Sequence, residues 1–172
     1  MSERESYFGE PDPIFENKEL LRVSHLPEGD RIIGRDEELS NLANAIKDAQ
    51  YGGTPNNILV YGKTGTGKSL CCRYISQDLI KTATANNVDV DVAYVDCFQA
   101  STETQTVRTI AESFNDPDET NVTVPISGVS TSDYYRRLWK ILDARLDVGI
   151  IILDEIDKLE DDNVLMQLSR AA

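Results

Sequence analysis

The chain has 172 residues, of which 40% are hydrophobic and 27% charged, a composition typical of a soluble globular protein of about one domain. It has no apolar run of the ~18 residues that a membrane span needs. It also has no apolar signal region at its start, so we expect a cytoplasmic protein without a membrane partner. The 17 basic and 30 acidic residues leave a net charge of −13, which argues against a dominant basic surface for nucleic acid.

The acidic balance has three interpretations. In the first, any DNA contacts are made by residues outside this chain. In the second, the surface is adapted to a salt-rich cytosol that screens the repulsion between like charges. An ordinary acidic protein is the third. We favour the salt-adapted surface because the charge is large for this length.

The three cysteines are Cys71, Cys72 and Cys97, and they show no C-x-x-C spacing. His25 is the only histidine that could join them, so a zinc site is not expected. Because small thiols pack well in a protein interior, we predict packing rather than redox chemistry for them.

The first part of the chain divides into an arm and the start of a domain. Scattered proline, glycine and acidic residues predict an extended N-terminal arm over residues 1–30, and residues 31–172 form the domain. A helix begins at Asp36, with apolar residues at helical spacing, and ends near Tyr51, since Gly52 and Gly53 follow.

Strands and helices alternate through the rest of the chain, which predicts an α/β fold with a parallel sheet and flanking helices. The predicted strands are Asn57–Tyr61, Val90–Asp96 and Gly149–Leu153. One predicted helix follows the loop after the first strand, and three more cover Thr102–Phe114, Ser130–Leu146 and Asn163–Arg170. The predicted helix Ser130–Leu146 has one apolar stripe, formed by Tyr135, Leu138, Trp139, Leu142 and Leu146. Trp139 is therefore interpreted as a core residue rather than a base-stacking platform.

A phosphate-binding loop joins the first predicted strand to its helix. Gly62, Gly67, Lys68 and Ser69 match the pattern G-x-x-x-x-G-K-[ST] between a strand and a helix, the context that this motif requires. Glycines let backbone N–H groups approach phosphate, and the helix N-terminus favours the same anion. Lys68 supplies charge to the β and γ phosphates, and the Ser69 hydroxyl is offered to Mg²⁺. The predicted nucleotide-binding residues here are Gly62, Lys63, Thr64, Gly65, Thr66, Gly67, Lys68, Ser69 and Leu70.

Two carboxylates follow the last predicted strand. Asp154 ends this strand at the same sheet edge as the phosphate loop, where it would complete the Mg²⁺ shell with Ser69. Glu155 is the candidate base that orients or deprotonates the attacking water. Lys68, Asp154 and Glu155 are therefore the predicted catalytic residues.

With these motifs in this order, the chain resembles the archaeal AAA+ ATPases of the origin recognition and cell-division-control type, and the acidic balance suggests a haloarchaeal member. The resemblance rests on Ile14-Phe15, His25-Leu26-Pro27, Arg31–Glu38, Asn57–Ser69, Asp96-Cys97, Val124-Pro125, Gly128–Thr131, Ile152–Leu159 and Leu168–Ala171. The Gly34-Arg35-Asp36 box ahead of a phosphate loop is its most specific feature.

The resemblance implies a P-loop NTPase fold that binds ATP and Mg²⁺, with Ile32, Ile33, Gly34 and Arg35 over the adenine. It implies an initiator that recognises origin DNA and loads the replicative helicase, self-associates and lies in the nucleoid. It also implies an N-terminal fragment, incomplete after the Asp154 strand and the next helix, with most DNA contacts in the missing regions. Another strand would separate the phosphate-loop strand from the Asp154 strand. The stretch 115–130 lies where the family carries an inserted DNA-contacting element.

Three functions remain open on the sequence. The first is an ATPase switch for replication initiation, although the fragment by itself would be inactive. The second is a module that binds ATP without hydrolysing it. The third is a P-loop ATPase associated with signalling or transposition.

Overall fold

The computed structural model describes residues 32–170, so the predicted arm over residues 1–30 lies outside the described part. The chain is divided into two units at Ile33, and residues 34–170 belong to the second, which is the unit described below. Its elements are α1 (Asp36–Ile46), α2 (Lys68–Ala85), β1 (Val90–Asp96), α3 (Glu103–Phe114), α4 (Pro117–Thr120), α5 (Thr131–Arg145), β2 (Val148–Asp154) and α6 (Asn163–Ser169). Short 3-10 turns cover Lys47–Tyr51 and Ile156–Lys158.

Local sequence signals set the ends of several helices. Gly52, with a φ of 77°, ends the 3-10 turn after α1 in the left-handed region that favours glycine. Thr102 and Ser130 cap α3 and α5, and each forms a capping box with the residue three positions later. The predicted helices are therefore confirmed to within a residue or two at these ends.

The sheet consists of β1 and β2, which pair in parallel from Val90 opposite Val148 to Asp96 opposite Asp154. Because side chains alternate along a strand, each strand presents one set of residues to each face. On one face, Val90, Val148 and Ile150 pack with α2 and the end of α1. On the other, Ala93 and Val95 pack against α3 and α5 around Phe114, Leu138 and Ile141. The result is helices on both faces of a parallel sheet, as the alternation predicted.

The predicted strand Asn57–Tyr61 is wrong. This segment has no strand pairing, and Leu59 and Tyr61 are 72% and 87% exposed. A parallel strand needs a neighbour in hydrogen-bonding register. Between residues 32 and 170, the two strands that form pair only with each other.

The buried face of α5 is shifted from the predicted stripe. Tyr134, Leu138 and Ile141 are fully buried, whereas Trp139 and Leu142 are only partly buried against the same core. The Trp139 ring stacks on Tyr135 with centroids 6.2 Å apart, which agrees with a packing role. Residues of α3, β1, β2 and α6 all belong to this core, so α5 makes apolar contacts over more than one stripe.

The stretch 115–130 contains α4, a single turn that the sequence did not predict. Asp116 caps it and Pro117 occupies its first turn. Asn115 holds the following segment by donating to the carbonyl oxygen of Val122 at 2.9 Å. Tyr134 donates from its hydroxyl to the carbonyl oxygen of Pro125 at 2.7 Å. The stretch is thus attached to α3 and α5.

The cysteines contribute to packing. Cys71 and Cys97 are buried, and none of the three thiols forms a disulfide. Burial, together with the negative charges of Asp96 and Asp154, raises the pKa of Cys97 to about 11. A thiol that stays protonated is a poor nucleophile, which agrees with the predicted structural role.

None of the helices found between residues 32 and 170 combines the length and the apolar character that crossing a bilayer requires.

Candidate nucleotide-binding site

The phosphate loop has the backbone geometry of an anion site. Gly62, Gly65 and Gly67 have φ angles of 145°, 77° and 83°, which side-chain-bearing residues rarely adopt. A Cβ at Gly65 or Gly67 would meet no atom within 4 Å, so these positions need glycine for their conformation and not for lack of space. Thr66 donates from its hydroxyl to the carbonyl oxygen of Lys63 at 2.8 Å and holds the turn closed.

Lys68 begins α2, whose first turn carries no acidic residue. Its Nζ donates to the carbonyl oxygens of Gly62 and Lys63, both at 3.0 Å, so the ammonium group lies over the loop. The first N–H groups of a helix have no intrahelical acceptor, and the helix dipole adds positive potential there. Loop, ammonium group and helix end together concentrate positive potential at one turn of the chain, which an anion would favour.

Asp154 lies at the carboxyl end of β2 and is held on both oxygens. Oδ1 accepts from the backbone N–H of Glu155 at 3.1 Å, and Oδ2 accepts from the Tyr94 hydroxyl. Burial raises the pKa of the Asp154 carboxyl, but hydrogen bonds from Ser69, Tyr94 and the Glu155 backbone, with the charge of Arg73, leave it below its usual value. The carboxylate is therefore ionised near neutral pH.

Glu155 has a φ of 54°, in the left-handed region that is uncommon for residues other than glycine. Its side chain is exposed, and the chain turns directly into the 3-10 turn Ile156–Lys158. Backbone strain of this kind is often retained at functional sites. Here the turn directs the chain away from β2 next to the Asp154 carboxylate.

One groove of about 1330 Å³ brings most of the predicted site residues together. It is lined by Gly62, Thr64, Gly65, Gly67, Lys68, Ser69 and Leu70 from the loop and α2, and by Asp154 and Glu155 from the end of β2. Lys63 and Thr66 belong to the same loop but are not among the lining residues. The structure therefore places the two predicted halves of the site against one space.

Two of the residues predicted to contact adenine lie outside this groove. Gly34 and Arg35 do not line this groove, and Arg35 forms a 2.7 Å ion pair with Glu38 at the start of α1. Arg35 is also close enough to Cys71 on α2 to influence the pKa of that thiol. Ile33 belongs to the preceding unit, so a contact of this loop with adenine stays a prediction.

The oxygen donors at the site suit Mg²⁺. Ser69 offers a hydroxyl and Asp154 an ionised carboxylate, and both line the groove beside the loop. Within residues 32–170 there is no cluster of three or more His, Cys, Asp or Glu side chains that could hold a metal. Mg²⁺ usually takes one or two protein carboxylates and completes its shell with water and phosphate oxygens, so this sparse donor set fits it.

Two residues near Asp154 were missed by the sequence reasoning. Tyr94, on β1, donates to Asp154, and the Arg73 guanidinium carbon lies 3.7 Å from the centre of the Tyr94 ring. Neither belongs to a motif. Ser69 and Arg73 are four positions apart on α2, a spacing that puts them on one helix face.

The family comparison agrees with this geometry. The model of the AAA domain family matches residues 50–172, which is most of the chain and includes the phosphate loop and both acidic residues. The chain belongs to the AAA domain family.

Two haloarchaeal proteins are among the relatives that are similar to this chain. The chain is 51% identical over 158 residues to the ORC1-type DNA replication proteins 4 and 2 of Halobacterium salinarum. The match covers 92% of this chain, but only 38% and 60% of those proteins. The AAA domain described here therefore corresponds to part of each relative, and the resemblance to archaeal replication initiators is confirmed.

A solved structure shows the same fold. The Aeropyrum pernix ORC1 protein, determined in complex with DNA, superimposes with a TM-score of 0.76 at 33% sequence identity. The match covers 88% of this chain and 38% of the ORC1 chain. The predicted P-loop NTPase fold of the AAA+ class is thus confirmed.

The acidic balance gives a prediction about salt. If the net charge of −13 is an adaptation to salt, we expect molar KCl to raise the unfolding temperature by several degrees, because screening weakens the repulsion between carboxylates. Thermal unfolding followed by circular dichroism across a KCl series measures the effect. A melting temperature that stays constant from low to molar KCl would contradict this origin of the charge.

Proposed function

We propose that this AAA domain binds ATP with Mg²⁺ and acts as the nucleotide-dependent switch of a DNA replication initiator. The observation that carries the proposal is the single groove that the phosphate loop and the Asp154–Glu155 pair share. In this assignment the loop amides and Lys68 bind phosphate, Ser69 and Asp154 hold Mg²⁺, and Glu155 orients the attacking water. Mg²⁺ would supply charge neutralisation at the phosphates.

The wider role follows from the relatives, which are named DNA replication proteins. We propose that the protein carrying this domain recognises origin DNA, loads the replicative helicase and self-associates, and that it lies in the nucleoid. The net charge of −13 favours DNA contacts made mainly outside these 172 residues, because phosphate binding depends on basic side chains. The solved ORC1 protein in complex with DNA supports DNA as a partner.

The first test is the substitution Lys68→Ala in the protein that carries this domain. We expect ATP affinity to fall ~10- to 100-fold, since a charge-assisted hydrogen bond to phosphate contributes ~1.5–3 kcal/mol. Lys81→Ala is the matched control, because Lys81 is an exposed lysine on the same helix, thirteen positions further on. Equilibrium binding of a fluorescent ATP analogue measures both. If Lys68→Ala retained the wild-type affinity, the site assignment would be wrong.

A further inference from the structure

We infer that Tyr94 and Arg73 are positioning residues for the Asp154 carboxylate and that they set the Mg²⁺ dependence of nucleotide binding. The inference rests on the proposed function, because it deepens the role of the same site. It concerns residues that no motif of this chain identifies, and it follows from two contacts and one helix spacing in the structure.

The first contact is the hydrogen bond from the Tyr94 hydroxyl to Asp154 Oδ2. Tyr94 lies opposite Ile152 in the register of β1 and β2, so it shares a sheet face with the residue two positions after Ile152, which is Asp154. The hydroxyl therefore reaches the carboxylate diagonally across the strand pair. The backbone N–H of Glu155 holds the other oxygen at 3.1 Å.

The two hydrogen bonds fix the carboxylate plane. Each carboxylate oxygen accepts one of these two bonds, Oδ2 from the Tyr94 hydroxyl and Oδ1 from the Glu155 backbone. Without the tyrosine hydroxyl, Oδ2 would lose this bond, and the carboxylate would be less restrained about its terminal torsion. The tyrosine thus selects the orientation in which the carboxylate is presented.

The second contact places Arg73 on the tyrosine. Its guanidinium carbon lies 3.7 Å from the ring centre, within the range of a cation–π interaction. Arg73 Nε is buried without a hydrogen-bond partner among the described residues, and the Tyr94 ring packs on the guanidinium. This stack restrains the ring that carries the hydroxyl.

The spacing of residues on α2 connects Arg73 to the phosphate loop. Arg73 and Ser69 lie four positions apart on α2, so a single helix face carries the hydroxyl offered to Mg²⁺ and the residue that restrains Tyr94. Helix α2 and strands β1 and β2 are thereby joined around one carboxylate.

Tyr94→Phe tests the inference, because it removes the hydroxyl and keeps the ring under Arg73. In the protein that carries this domain, ATP binding is measured with a fluorescent analogue, first in EDTA and then across a Mg²⁺ titration. We expect the Mg²⁺ concentration for half-maximal stimulation to rise ~10-fold, as substitutions of groups that orient metal ligands typically do. Binding in EDTA should stay at the wild-type level, since the loop and Lys68 are unchanged.

Tyr135→Phe is the matched control. Tyr135 also donates from its hydroxyl to a carboxylate, that of Glu103 at 3.1 Å, but this pair joins α5 to α3 away from the phosphate loop. Its Mg²⁺ half-point should equal that of the wild type. Arg73→Met, which keeps an unbranched apolar stem and removes the guanidinium, should raise the half-point in the same direction as Tyr94→Phe but by less.

Three results would overturn the inference. An unchanged half-point in Tyr94→Phe would show that the hydroxyl does not orient the carboxylate, and a lowered one would show that it competes with the metal. An equal loss of binding in EDTA would show that Tyr94 supports the fold instead. By contrast, a wild-type protein that binds no ATP in either condition would refute the proposed function itself.

Discussion

Replacing Glu155 by glutamine should leave ATP binding in place and slow ATP turnover by ~10²- to 10⁴-fold, the range that a positioned general base contributes. The reason is chemical: the amide has nearly the shape of the carboxylate but cannot accept the proton of the attacking water. The change is also conformationally matched, because a glutamine at φ 54° meets the same steric restriction as the glutamate. Binding should persist since the phosphate loop and Lys68 are untouched.

Steady-state phosphate release and equilibrium ATP binding together measure the Glu155→Gln effect. Glu160→Gln is the control, because Glu160 is an exposed carboxylate five positions further on that does not line the groove. Equal losses of binding and turnover would assign Glu155 a structural role. Unchanged turnover would remove Glu155 from the mechanism, and absence of turnover in the wild type would favour the module that binds ATP without hydrolysing it.

The 172-residue chain expressed by itself should hydrolyse ATP no faster than its Lys68→Ala variant and should self-associate. The cause is the segment before the phosphate loop: Leu59 and Tyr61 are largely exposed, and this segment has no strand partner among residues 32–170. The same groove separates it from β2, whose residues Val148–Asp154 all line that space. The edge of β2 that faces this space is therefore open and apolar. An open strand edge is a template for pairing with another chain.

The energies indicate why turnover should be lost. A segment without a strand partner contributes no ladder hydrogen bonds, each worth ~0.5–1.5 kcal/mol, against a total stability of ~5–15 kcal/mol. A loop whose preceding segment is unpaired cannot hold Lys68 rigidly against Asp154 and Glu155, and misplacement by ~1 Å can reduce a rate ~100-fold. Sedimentation, phosphate release and thermal unfolding test the prediction. A monomer with a single cooperative transition and Lys68-dependent turnover would contradict it.

Local interactions explain most of what the sequence predicted correctly. The capping boxes of α3 and α5 join residues three positions apart, and the glycines of the phosphate loop are required by the backbone angles of that loop alone. The strand Val90–Asp96 was predicted with its observed bounds because its apolar residues lie between turns. Features of this kind depend on neighbours along the chain, so one sequence is enough to identify them.

Only the tertiary structure decided the features that depend on distant residues. Asn57–Tyr61 has the composition of a strand, but a strand forms by pairing, and neither β1 nor β2 pairs with this segment. The burial of α5 depends on which helices cover it, so its core residues differ from the predicted stripe. The hydrogen bond from Tyr94 to Asp154 joins residues 60 positions apart, and it exists because the parallel register of β1 and β2 sets which side chains share a face. The sequence by itself predicted the phosphate loop and its acidic pair, whereas strand pairing and helix packing decided which further side chains lie beside them.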